Sequence, residues 1–334
     1  MKIAQIKKNI YSGIYSKVKI KNRRSFICGI KGYKLSKKEF HFIRQYKPWG
    51  IILFERNIKN INQVNKLTNC IKEIFKDPLY PILLDEEGGR VSRLKKIIDN
   101  SIFTGKFFGD LYKSNSKKFN LYYKVYVDQI SYLLNLIGVN INTVPILDIS
   151  RNFSHKIIGN RSFSSNKKIV SEIGNITITL FNKNRIGTVI KHIPGHGLSR
   201  KDTHLKLPYI SNSLKYLKNN DFYVFKNKKS MFAMTAHIIF ESIDNKECIT
   251  HSIKGIKYIR NKIGFKNIII SDDISMKALK YSFDENVRKA FKSGCNLVLH
   301  CNSNIKEMRK VANLAPKVNN FIIKKTSEFY KLLS

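Results

Sequence analysis

The sequence predicts an α/β fold, a single (β/α)8 barrel of the TIM type with its active site at the C-terminal ends of the strands. Three observations predict it. Eight short apolar runs are distributed along the 334 residues, amphipathic helical patterns separate most of them, and six of the eight end in an ionisable residue. Strands alternating with helices imply a parallel sheet with helical crossovers. Eight such units close on themselves, and a closed barrel places its chemistry where the strands end.

The runs are Phe26–Ile30, Gly50–Phe54, Pro81–Leu84, Val139–Leu147, Gly187–Ile190, Met231–Ala236, Asn267–Ile270 and Asn296–Leu299. Ile58, Ile61, Val64, Leu67, Ile71 and Ile74 keep a three/four spacing and predict a helix with one apolar face. Ile169, Ile173, Ile176 and Leu180 predict another, as do Ile253, Ile256, Ile259 and Ile263, where Gly264 closes the helix. Ser282 opens a further segment whose first turn carries Asp284 and Glu285, the sign that the helix dipole favours. Two helical stretches after Asn302 end the chain. An open doubly wound sheet is the alternative. It usually carries a Gly-rich phosphate loop after its first strand, and Cys28-Gly29-Ile30-Lys31-Gly32 lacks the third glycine at the required offset.

Composition bounds the function. With 43% apolar residues the chain is globular, and no apolar run approaches the roughly 18–20 residues of a membrane span. No internal repeat or linker is visible, so residues 24–334 read as one catalytic barrel and residues 1–23 as a basic N-terminal extension. That extension has no continuous apolar segment, so no cleaved signal peptide is expected. The five cysteines, Cys28, Cys70, Cys248, Cys295 and Cys301, are scattered and odd in number, as reduced thiols in a cytoplasm would be. The net charge of +39 would suit a nucleic-acid binder. Lys, Ile and Asn are enriched together along the whole chain, however, and no compact basic block appears beyond Lys17 to Arg24. The charge therefore reads as composition, with no specific nucleic-acid partner and no membrane expected.

The run ends supply the candidate site. The third run ends at Asp85, within Leu-Leu-Asp-Glu-Glu-Gly-Gly-Arg-Val-Ser-Arg, and the fourth reaches Asp148. The fifth ends at Lys191 and His192, the sixth at His237, the seventh at Asp272 and Asp273, and the eighth at His300. Asp85 is read as ligand-binding, and Asp148 is open between site and structural hydrogen bonding. Of Arg90 and Arg93, one is expected to reach the site while the other pairs with a carboxylate. Adjacent strand residues point to opposite faces, so only one of Asp272 and Asp273 should face the pocket. His237 and His300 read as structural, and Trp49, at the other end of its strand, as packing. After Lys191-His192, Pro194, Gly195 and Gly197 force an irregular loop that carries Asp202 and His204. His192 and His196 have the i, i+4 spacing of a helical metal pair, but this loop cannot be helical, so no metal is expected.

Lys191-His192-Ile193-Pro194-Gly195-His196-Gly197 followed by Asp202-x-His204 resembles the signature of the bacterial β-N-acetylhexosaminidases of glycoside hydrolase family 3, the NagZ type. Asp85–Arg93, Gly159-Asn160-Arg161-Ser162-Phe163 and Ser271-Asp272-Asp273-Ile274-Ser275-Met276 agree in order and spacing, and the resemblance covers roughly residues 25 to 310. It implies a barrel that removes terminal N-acetylglucosamine from cell-wall fragments during cytoplasmic peptidoglycan recycling. Asp272 matches the nucleophile, His204 the acid/base and Asp202 its orienting partner. Asp85, Arg93, Arg161, Lys191 and His192 match sugar-binding positions. The sequence departs from the family where an aspartate is frequent near Gly29, where Glu55 replaces a glycine, and where Thr235 replaces a proline.

The chemistry is coherent. Retaining hydrolysis needs a carboxylate nucleophile and a proton donor for the leaving oxygen, and an imidazole near neutrality can be that donor. No cofactor is needed. The expected partner is a small carbohydrate, a GlcNAc-containing muropeptide, and a monomer is expected. The alternatives are a family-3 phosphorylase, a metal-dependent barrel hydrolase using His192, His196 and Asp272, and a basic nucleic-acid-binding protein.

Overall fold

The computed structural model describes residues 20–151, 158–199 and 207–334. Each barrel strand is followed by the helix that returns the chain. The order begins β1 (Arg24–Gly29), α1 (Lys37–Tyr46), β2 (Pro48–Leu53), α2 (Ile61–Phe75), β3 (Ile82–Leu84), α3 (Gly105–Ser114) and α4 (Ser116–Leu136). It continues with β4 (Ile141–Asn142), α5 (Lys167–Lys183), β5 (Gly187–Ile193), β6 (Tyr209–Ile210), α6 (Leu214–Asn219), β7 (Phe232–Thr235) and β8 (Ile239–Phe240). It ends with α7 (Ile253–Tyr258), β9 (Ile268–Asp273), α8 (Phe283–Ser293), β10 (Leu297–His300), α9 (Ile305–Leu314) and α10 (Asn320–Leu333). The parallel strands close in the order β1-β10-β9-β7-β5-β4-β3-β2, so the expected (β/α)8 barrel is the fold. Strands β6 and β8 pair outside the barrel, an addition that the eight apolar runs did not predict.

Alternation along the strands builds two apolar layers. Ile27, Ile52, Leu83, Ile141, Val189, Ile268, Ile270, Leu297 and Leu299 belong to the cluster inside the barrel. Phe26, Cys28, Ile51, Leu53, Ile82, Leu84, Ile190, Ala233, Ile269 and Val298 pack outward beneath the helices. The chain's abundant asparagine is put to use at the helix starts. Asn60, Asn115, Asn166, Asn304 and Asn319 each accept a backbone N–H as N-caps. Ser282 caps α8 in the same way, and beyond α7 a short π-helical turn stops at Gly264 with φ 87°.

Three runs differ instructively from the sequence reading. The run Val139–Leu147 yields only a two-residue ladder at Ile141–Asn142, because Pro145 has no N–H to give. The chain stays extended there, with the Leu147 amide donating to the Lys191 carbonyl at 2.8 Å. Strands β5 and β9, in contrast, run past their apolar residues and take in Lys191, His192, Asp272 and Asp273. Backbone pairing does not end where apolar character does.

The N-terminal end of the barrel is plugged. Trp49 is fully buried, donates from Nε1 to Thr326 Oγ1 at 2.9 Å, and meets Phe232 edge-on. Ile20 and Arg23 pack here too, with Arg23 paired to Asp77 and donating to the Tyr330 hydroxyl, which itself donates to Asp77. Arg23→Ala leaves Asp77 buried without its cation, and we expect denaturant unfolding to show a loss of about 3–5 kcal/mol. Unchanged stability would mean that the pair contributes nothing net.

Candidate active site

The C-terminal mouth of the barrel holds a cavity of ≈ 260 Å³ lined by Asp85, Glu87, Arg93, Arg161, Lys191, His192, His196, Asp272 and Asp273 together with apolar residues. Every substrate-binding candidate named from the sequence, and Asp272, therefore meets in one place. Asp202 and His204 lie outside the described residues.

The segment after β3 is shaped by a turn. The Glu87 amide donates to the Val91 carbonyl, and Gly88 and Gly89 between them have φ 84° and 59°, values that favour glycine. A Cβ on Gly88 would stand 2.2 Å from the Phe103 carbonyl oxygen. Glu86 braces the turn from inside, accepting from the Arg93 and Leu94 amides and from Asn100. With Glu86 turned inward, Asp85 and Glu87 on either side of it face the cavity.

Positive and negative groups alternate along the cavity wall. Arg93 Nη2 donates to Asp85 Oδ2 at 3.2 Å, and Lys191 Nζ lies 3.3 Å from Asp85 Oδ1 and 2.7 Å from Glu87 Oε1. Arg161 grips Glu87 with two bonds, 2.7 and 2.9 Å. Thr143 donates to Asp85 and accepts from Lys191 at 2.8 Å. Burial pushes both carboxyls up, but the cations win: Lys191 and Arg93 hold Asp85 well below the usual range, and Arg161 and Lys191 bring Glu87 down to about 2. Both are anions at any working pH. Glu87 and Thr143 were not among the sequence candidates. The signal for Glu87 was there, since residues two apart in an extended segment share a side.

Of Arg90 and Arg93, it is Arg93 that lines the cavity, and it also makes the carboxylate pair. Arg90 donates to the Ile158 carbonyl at the rim. Asp148, left open by the sequence, is structural: fully buried, it accepts from the His192 and His196 amides and from His192 Nδ1 at 2.7 Å. Because Asp148 is ionised, Nδ1 is the donor in this bond, and the ring also lines the cavity. The His196 ring stands 5.5 Å from that of His192. Burial and the neighbouring His192 lower its pKa to about 4, so it is neutral near pH 7. His237, which the sequence reads as structural, bonds to Thr250 and the Asp273 carbonyl, and His300 bonds to Glu307.

Asp272 sits at the end of β9. Burial raises its carboxyl, but His237, His192 and the Asp273 amide outweigh this and hold it below the ordinary range. Oδ1 accepts from the Asp273 amide at 2.7 Å. Asp273 also contributes to the cavity wall, contrary to the expectation that only one of the two would. The strand ends at this residue, so strict alternation no longer applies. Its carboxylate is occupied by the Ser275 hydroxyl and by the Ser275 and Cys301 amides, which leaves Asp272 as the carboxylate available to a ligand.

Two of the three departures from the family pattern, at Gly29 and Thr235, match local contacts. A Cβ on Gly29 would lie 2.3 Å from the Cys301 carbonyl oxygen and 2.9 Å from Arg56 Nη2, so no aspartate fits there as the chain stands. Arg56 fills that space and donates to the Ile30 and Cys301 carbonyls. Thr235 Oγ1 accepts from the Asp272 amide at 3.3 Å, a contact proline cannot make.

Residues 2–327 match the profile of the glycosyl hydrolase family 3 N-terminal domain. The chain is 30% identical over 289 residues to a β-hexosaminidase of Neisseria gonorrhoeae, spanning 84% of this chain and 78% of that one. It is 28% identical to a β-hexosaminidase of Photobacterium profundum over 90% of each. The crystal structure of native NagZ from Neisseria gonorrhoeae superposes with a TM-score of 0.82 at 26% identity, over 92% of this chain and 90% of that one. The same protein in complex with N-trifluoroacetyl-D-glucosamine gives 0.81 at 25%, over 94% and 90%. With barrel, carboxylate-bearing cavity and near-complete coverage in agreement, the chain belongs to glycoside hydrolase family 3, among its NagZ-type β-N-acetylhexosaminidases.

Proposed function

We propose that the chain is a retaining exo-β-N-acetylglucosaminidase that removes terminal N-acetylglucosamine from peptidoglycan fragments in the cytoplasm, without a cofactor. The observation that carries this reading is Asp272. It is a carboxylate held ionised at the floor of a cavity whose walls present paired donors and acceptors for sugar hydroxyls. Asp272 attacks the anomeric carbon as the glycosidic oxygen leaves with a proton from His204, which Asp202 orients. Water, deprotonated by the same imidazole, then releases the sugar with its β-configuration restored. Asp85, Arg93, Arg161, Lys191 and His192 hold the hydroxyls and the N-acetyl group during both steps. The likeness to β-hexosaminidases, one of them solved with a glucosamine derivative bound, supports the N-acetylated sugar.

A nitrophenyl N-acetyl-β-glucosaminide tests this directly. The expected result is release of nitrophenol, with the β-anomer of free N-acetylglucosamine as the first sugar seen by NMR. First appearance of the α-anomer would rule out a glycosyl-enzyme. Sugar 1-phosphate as the main product in phosphate buffer would make the enzyme a phosphorylase.

A further inference from the structure

We propose that Glu87 is a positioning residue that also sets the charge selectivity of the site, holding Arg161 and Lys191 in place and balancing them so that the cavity takes an uncharged sugar rather than an inorganic anion. The proposal rests on the reading of Arg161 and Lys191 as sugar-binding groups.

Three cations and two carboxylates alternate in one continuous network: Arg93, Asp85, Lys191, Glu87, Arg161. Glu87 is the member that Lys191 and Arg161 share, at 2.7 Å from each. Its side chain is 4% exposed and that of Lys191 3%, so water screens little of this charge. The two parallel bonds to Arg161 fix the plane of the guanidinium as well as its distance. Glu87 is itself fixed by the turn at Gly88 and Gly89 and by its amide bond to Val91. Both sugar-facing cations thus share one rigid carboxylate, with Lys191 held in addition by Thr143 and Asp85. Without its charge, Asp85 is left to balance three cations within the network, and this wall of the cavity becomes more attractive to phosphate than it is in the wild type.

Steady-state kinetics on the nitrophenyl substrate, with inorganic phosphate as competitor at constant ionic strength, tests this. In Glu87→Gln we expect KM to rise about tenfold with a smaller fall in kcat, and competitive inhibition by phosphate to tighten about tenfold relative to wild type. Glu87→Asp restores the charge and should recover most of both. Arg161→Met, which leaves two cations against two carboxylates, should weaken phosphate inhibition, and Glu87→Gln should tighten it less in the double variant than in the wild type, because only Lys191 then loses its carboxylate partner. Phosphate sensitivity unchanged in Glu87→Gln, or a Glu87→Asp variant no better than Glu87→Gln, would overturn the proposal. Active-site titration with a fluorinated trapping substrate separates these effects from a loss of folded enzyme. If Glu87→Gln does not fold, stronger phosphate inhibition in Arg161→Met overturns it alone. A wild-type enzyme inactive on the substrate would instead remove the glycosidase reading beneath it.

Discussion

Asp272→Ala leaves a folded barrel whose turnover falls by on the order of 10⁴–10⁶-fold, the scale on which loss of an enzymatic nucleophile is felt. The fold should survive because the barrel ladders do not use this side chain, whose carboxylate accepts from the neighbouring Asp273 amide. In the wild type, a 5-fluoro N-acetylglucosaminide with a good leaving group should trap a covalent adduct, and peptide mapping should find it on Asp272. Asp273 is the residue to compare, since it is adjacent and also reaches the cavity wall. Its carboxylate is committed to Ser275 and Cys301, so Asp273→Asn should loosen the turn after β9 and spare the adduct. Azide added to Asp272→Ala should enter from the vacated face and give the α-glycosyl azide. A label on Asp273, or on no residue, would sink the assignment.

His204→Ala should lose about 10²–10⁴-fold on a substrate whose leaving group is a sugar, because that oxygen departs only with a proton. On a nitrophenyl glycoside the leaving oxygen is already a weak base, so bond breaking suffers far less. Deglycosylation then limits turnover, and azide, which needs no base, should restore part of it. Asp202→Asn should show the same pattern more mildly, since the imidazole stays but loses its orienting anion. The pH profile gives a second check. Neighbouring groups hold Asp272 ionised below the usual carboxylate range, so its protonation does not limit the rate at mildly acidic pH. For a sugar leaving group kcat/KM should fall as pH rises and the imidazole loses the proton it must donate. His204→Ala should lack that limb. Equal damage on both substrates, with no azide rescue, would make His204 structural.

Much of this protein was legible in its residues. Apolar runs separated by three/four-spaced helices gave eight strands and hence a closed barrel, because burying both faces of a parallel sheet demands that pattern. The polar residues at the ends of those runs gave Asp85, Lys191, His192 and Asp272, and the spaced motifs added Arg93 and Arg161. Strand β4 was read too long because an extended apolar run and a hydrogen-bonded ladder look alike in sequence until Pro145 is asked for an N–H. Strands β6 and β8 were missed because two-residue pairings leave no periodicity to detect.

The sequence by itself determined the barrel, the end at which its chemistry lies, and most of the chemical groups that arrive there, since these depend on local apolar periodicity and on where each run stops. Only the tertiary structure decided how those groups divide the work. Asp148 turns away to orient His192, Asp273 closes the turn beside Asp272, Arg93 rather than Arg90 reaches the cavity, and Glu87 joins Lys191 to Arg161, which lies 74 residues from Glu87 in sequence. These choices depend on distances of about 3 Å between side chains from different strands and loops. Electrostatic partnership acts through space, and nothing in the order of residues along one strand specifies which charge on another will face it.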